Sequence, residues 1–194
     1  MKSRSTTNGS QQWPVLFRYG NTLFLALLAL PSMGCDRSFK HIQIDPIQPS
    51  RLDVFVGKGN TIALEFHNEN PNPAVDVFPE PPLTVRHIPS GHSCEIDGGV
   101  WVRRSVYLSA DEATLLVQEY SGSNDHLVFY RTRSCKKIHE IEVSGALWKI
   151  SGNELAIGHQ CSGEEIKTCK SQQRLAIDAI CDDEQTSRRL FIDN

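Results

Sequence analysis

The chain has no apolar run long enough to cross a bilayer: Leu23–Leu30 is eight residues, against the roughly 20 that a spanning helix requires. It also lacks an excess of positive charge, with 20 basic residues against 23 acidic and a net charge of −3. That disfavours a nucleic-acid partner, because neutralising phosphates takes clustered Lys and Arg. The pairs Arg103-Arg104, Lys136-Lys137 and Arg188-Arg189 are scattered and read as solvated faces. No segment sustains a helical period, which leaves strands to build the fold. The motifs of several chemistries are missing too. Gly57-Lys58-Gly59-Asn60 lacks the spacing and following helix of a phosphate cradle. Gly91-His92-Ser93-Cys94-Glu95 lacks the second glycine of a nucleophile elbow. Asp182-Asp183-Glu184 lacks the alternating ligands of a calcium loop and reads as a solvated turn.

What the N-terminus does have is a signal-length arrangement. Lys2, Arg4 and Arg18 precede the apolar run with no acidic residue among them, and Pro31 ends it. The stretch Thr22–Cys35, closing on Ser32-Met33-Gly34-Cys35, resembles the lipobox of bacterial lipoproteins. The resemblance implies cleavage after residue 34 and a lipid on Cys35, with Asp36 standing where enteric bacteria carry an inner-membrane retention residue. An acylated cysteine would tie the chain to membrane lipid, each buried CH₂ contributing about 0.8 kcal/mol. The same residues also fit an ordinary secretory signal, in which case Cys35 is simply the first cysteine of a secreted protein. Three segments are expected: a signal peptide over 1–34, a lipid-anchored tether over 35–50 marked by Pro46 and Pro49, and one domain over 51–194. Without the leader, 160 residues remain with a net charge of −6.

Six cysteines behind an export signal point to an oxidising compartment and to disulfides. With Cys35 lipidated, five remain, enough for two bridges and a free thiol. Cys161 and Cys169 enclose seven residues including Gly163, the easiest loop to close. Cys94, Cys135 and Cys181 compete for the second bridge, and Cys94 with Cys135 is the expected pair.

The rest of the chain predicts an all-β fold of antiparallel meanders. Leu52–Val56 and Thr61–His67 form a hairpin over Gly57-Lys58-Gly59-Asn60, and Ala74–Phe78 is a short strand between proline-rich loops. From Leu83 onward strands recur at steady spacing, ending with Arg174–Cys181 and Arg188–Ile192. His139, Ile141 and Val143 alternate with Glu140 and Glu142, the pattern of a sheet with one wet side. The residues Ser109-Ala-Asp-Glu-Ala-Thr-Leu-Leu-Val117, Tyr120 to Asp125, His126 to Thr132 and Lys137 to Gly145 together resemble one YVTN-type β-propeller repeat. Ala110 and Glu112 stand where that repeat usually has proline and glycine. The length allows about three blades where a closed propeller needs four or more. The resemblance therefore implies a partial propeller-like or β-sandwich domain, or one whose open edge is completed by another chain.

For chemistry, His92-Ser93-Cys94 and His159-Gln160-Cys161 each place two potential metal ligands on one side of a strand. The cysteines are better used as disulfides, so no metal or cofactor is expected. His87 and His92 with nearby carboxylates are the residues an envelope enzyme would use, but they form no coherent catalytic set. The expectation is therefore a lipid-anchored protein of the bacterial envelope, facing the periplasm or the cell exterior, that binds another envelope protein. The alternatives are an envelope enzyme or accessory, and a structural subunit that completes a β assembly.

Overall fold

Apolar runs without alternation bury both faces of a strand, whereas alternating ones bury one. Both kinds occur in the computed structural model, which describes residues 38–69, 74–79 and 82–177. The strands in chain order are β1 (Phe39–His41), β2 (Asp45–Gln48), β3 (Arg51–Lys58), β4 (Ile62–His67), β5 (Val77–Pro79), β6 (Leu83–His87) and β7 (Ser93–Ile96). They continue with β8 (Val100–Ser109), β9 (Thr114–Ser121), β10 (Asn124–Arg131), β11 (Lys137–Glu142), β12 (Ala146–Ser151), β13 (Glu154–Cys161) and β14 (Cys169–Ala176). A single 3-10 turn, Ile166–Thr168, precedes β14.

The strands form three antiparallel sheets. The first runs β2-β3-β4-β6-β7, the second β1-β8-β9-β10-β11 with β5 also on β8, and the third β12-β13-β14. The fold is thus all-β and meandering, and none of the three sheets closes into a barrel. The second sheet is central. Leu115 and Val117 of β9, with Val128 and Tyr130 of β10, pack in one core with Phe55, Leu64 and Val85 of the first sheet. Leu116, Leu127 and Phe129 turn the other way, into a core with Leu155 and Ile157 of the third. This two-sided burial explains the unbroken apolar runs of β9 and β10. The Ser109–Gly145 segment supplies β9, β10 and β11 of this central sheet.

The expected tether is corrected by the structure over its described part. Residues 39–41 and 45–48 belong to the sheets: β1 pairs β8 through Phe39↔Ser109, and β2 pairs β3. Phe39, Ile42 and Ile44 are buried, and Phe39 meets Phe129 edge-to-face at 6.1 Å. Burying three large apolar side chains outweighs the signal of the two prolines, since Pro46 sits on an edge strand where no ladder donor is needed. The domain therefore begins before residue 51.

Arg103 is a second correction, because it is no solvated face. Its Nε donates to the Ile44 carbonyl at 2.8 Å, another guanidinium nitrogen donates to the Val75 carbonyl at 3.2 Å, and the group lies 4.7 Å over the Phe55 ring. It fastens the N-terminal segment to the central sheet. Arg104 keeps the expected exposure.

Both expected disulfides are present. Cys161–Cys169 links β13 to β14 within the third sheet, and Cys94–Cys135 joins β7 of the first sheet to the turn between β10 and β11 of the central one. Cys35, Cys181, the Asp182–Glu184 turn and the Arg188–Ile192 strand lie outside the described residues.

Candidate functional site

Strand polarity brings four turns to one end of the first and central sheets. Ile62 pairs with His87, so the β3–β4 turn (residues 59–61) lies beside the β6–β7 turn (88–92). Thr114 pairs with Arg131, so the β8–β9 turn (110–113) lies beside the β10–β11 turn (132–136). Three kinds of bond then hold these turns, two of them across the pairs and one within the second pair.

The first is a carboxylate clamp. Glu112 reaches from the central sheet to the first, where it accepts hydrogen bonds from the Asn60 N–H, the Thr61 N–H at 2.7 Å, the Thr61 hydroxyl at 2.7 Å and the Ile62 N–H at 3.1 Å. Burial pushes its carboxyl up, but these donors more than reverse that and hold it below its ordinary value of 4.5. Gly59 is required here, because a Cβ would run into the Glu112 carboxylate. Glu112 itself adopts a φ of +56°, the left-handed conformation that favours glycine. Glycine here would turn the chain equally well but could not make the clamp.

Thr132 adds the second set of bonds. Its hydroxyl donates to the Glu112 carbonyl at 2.7 Å and its N–H to the Ala113 carbonyl at 3.1 Å. Covalent linkage is the third, through Cys94–Cys135, whose partly buried sulfurs pack against the main core.

Between these turns is a cavity of about 550 Å³ lined by Thr61, His87, Pro89, Ser90, His92 and Arg133. His92 lies two residues before Cys94 and Arg133 two before Cys135, so the disulfide fixes the separation of the cavity's walls. The His87 N–H donates to the His92 carbonyl at 2.8 Å, and the two rings stand 6.2 Å apart. The buried His87 Nε2 has no hydrogen-bond partner among the described residues. Ile88, half exposed, adds an apolar shoulder to the rim.

The structure therefore brings His87 and His92 together, as sequence proximity suggested, but adds Arg133 and Thr61, which came from turns distant in sequence. Neither histidine faces a carboxylate in the cavity lining, and Glu112, which holds the lining residue Thr61, is saturated by its four donors. The two His-x-Cys pairs separate into disulfide cysteines and histidines with other surroundings, and among the described residues no group of three or more His, Cys, Asp and Glu stands close enough to hold a metal ion. A second titratable cluster lies elsewhere on the central sheet. The Tyr130 hydroxyl donates to Glu119 at 3.1 Å, and Glu140 meets both Lys137 at 2.6 Å and His126 at 2.9 Å. Burial raises the Glu119 carboxyl, and burial with the neighbouring Glu119 raises the Tyr130 phenol. This network staples β9, β10 and β11.

Comparison with known proteins settles the family. The family model of the immune protein Tsi1 matches residues 37–181, which takes in all three sheets. The chain belongs to the Tsi1 immune protein family. A curated relative, the immune protein Tsi1 of Pseudomonas aeruginosa, is 36% identical over 169 residues, covering 86% of this chain and 96% of the relative. Immune proteins of the Tsi1 family are not enzymes, and the enzyme reading built on His87 and His92 is set aside on that ground. The matched span also includes residues 38–50, in keeping with their place in the Tsi1-type domain.

Proposed function

We propose that this protein is an immunity protein that protects its bacterium by binding a toxic protein, and that the four-turn end is the docking surface. Membership in the Tsi1 family carries the first half of this reading. The second half rests on the cavity-bearing end itself. It is held rigid by Glu112, Thr132 and Cys94–Cys135, so little conformational freedom is lost on binding. It combines an apolar rim, Ile88 and Pro89, with side chains such as Arg133 that have no ion-pair partner among the described residues. Apolar and arginine anchors of this kind dominate protein interfaces. An Ile88→Asp variant is expected to leave the melting temperature within a degree or two of wild type, because the side chain is half exposed, and to weaken binding at least about tenfold. Titration calorimetry of the purified chain against toxins from bacteria that carry members of this family measures it. Full affinity in the variant moves the docking surface elsewhere.

The proposal extends to location. Leu23–Leu30, the Ser32–Cys35 sequence and the two disulfides support an exported protein anchored by lipid on Cys35, facing the periplasm or the cell exterior. Only Asp36 and Arg37 separate that cysteine from Ser38, where the described domain starts, so an anchored domain sits close against the membrane. Intact mass of membrane-extracted protein is expected to show a start at Cys35 with added acyl mass, lost in Cys35→Ala. An unmodified N-terminus makes it a soluble exported protein.

A further inference from the structure

We propose that the cavity between the β6–β7 and β10–β11 turns is a carboxylate-binding site, and that its occupant is an acidic side chain of the bound toxin. The inference rests on the immunity reading and gives the partner's chemistry. Of the six lining residues, none is acidic and four carry groups able to donate: the rings of His87 and His92, the hydroxyl of Ser90 and the guanidinium of Arg133. Arg133 has no ion-pair partner among the described residues, and its planar fork matches both oxygens of a carboxylate. His87 forms part of the histidine wall, with its Nε2 buried and without a hydrogen-bond partner among the described residues. Ser90 accepts the His92 N–H at 3.3 Å through its oxygen, which leaves the hydroxyl proton for a ligand.

The surrounding charges leave this site to an incoming anion. Glu112 is bonded to the lining residue Thr61, and its oxygens are taken by the backbone of residues 60–62 and by the Thr61 hydroxyl. Thr61 therefore offers the cavity only an acceptor. Asp111 is held by the Ser109 hydroxyl and the Ala113 N–H, and Arg86 pairs with Glu65. Lys58 and Lys136, both exposed at the same end, add positive charge without an ion pair among the described residues. The disulfide sets the span between the histidine wall and the arginine wall, so the donors are positioned before any ligand arrives.

The test is a nuclear magnetic resonance titration of the full, oxidised chain with N-acetylglutamate N-methylamide, its neutral glutamine isostere and inorganic phosphate. The expected result is saturable movement of the His87 and His92 ring signals and the Arg133 side-chain N–H signal with the glutamate compound, none with the glutamine compound, and at least tenfold weaker binding in Arg133→Gln. Arg133 is exposed, so its variant should melt with the wild type, which keeps loss of binding separate from loss of fold. Equal binding of the glutamine compound, no movement at the three residues, or phosphate binding tighter than the glutamate compound overturns the proposal. A chain that protects cells from a toxin but shows no such movement retains the immunity reading and loses this one. Movement without protection keeps a carboxylate-binding cavity but overturns the toxin as its occupant, together with the immunity reading.

Discussion

Replacing Glu112 with alanine is expected to destabilise the protein by about 3 to 5 kcal/mol, measured by urea denaturation, because three backbone N–H groups and a hydroxyl lose their acceptor at once. A surface glutamate would cost next to nothing. The size of the effect comes from position: the side chain is buried, it joins two sheets, and water cannot fully replace it at the Ile62 N–H. Glu112→Gln separates charge from shape. It keeps one acceptor oxygen but brings an NH₂ group against amide donors, so most of the loss should remain. The charge also gives the effect a pH signature. The folded-state carboxyl lies below its ordinary value of 4.5, so its contribution is fully present above that value and is lost as pH falls through the lowered one. Glu119 and Asp125, both raised by burial, act in the opposite sense, so the comparison must be the gap between wild type and Glu112→Gln. That gap is expected to be constant at neutral pH and to shrink below about 4.5. A gap that does not respond to acid would mean that the clamp does not depend on the ionised carboxylate.

The second large effect concerns the Cys94–Cys135 bridge. Its ends are 41 residues apart in sequence, and on the chain-entropy view a bridge closing such a loop contributes about 4 kcal/mol. The Cys94→Ser, Cys135→Ser double variant should unfold at a correspondingly lower denaturant concentration. It should still fold, because Thr132 and Glu112 continue to hold the same turns. What it should lose is the fixed width of the cavity. Hydrogen exchange at residues 133–136 is expected to quicken well before the core strands exchange, and affinity for the toxin should fall with it. Unchanged exchange in that turn would show that the hydrogen bonds alone position Arg133.

The clamp and the bridge also show where sequence and structure part. Strands β9, β10 and β11 of the central sheet were legible because each carries its own signal: Leu115-Leu116-Val117 and Leu127 to Tyr130 are apolar without a break, and β11 alternates. The two disulfides were legible from spacing and compartment. The first two strands were not, because β1 is three residues long and its partner in β8 lies more than sixty residues away. Nothing local distinguishes Phe39 in a strand from the same residue in a linker, and Pro46 pointed the wrong way. The candidate site was half legible. His87 and His92 are near in sequence and drew notice, whereas Arg133 and Thr61 join them only through a tertiary arrangement. Glu112 stood out only as a departure from the repeat that this segment resembles. Its meaning required the position of Asn60 and Thr61 on the neighbouring sheet.

The most direct test of the central claim is the growth of bacteria that export a toxin from a strain carrying a member of this family, together with this chain or with its Ile88→Asp, Arg133→Gln double variant. Wild type is expected to restore growth, and the double variant, folded and present at equal level, is expected to fail. Restoration by both, or by neither for every such toxin, contradicts a protective protein that works through its four-turn end.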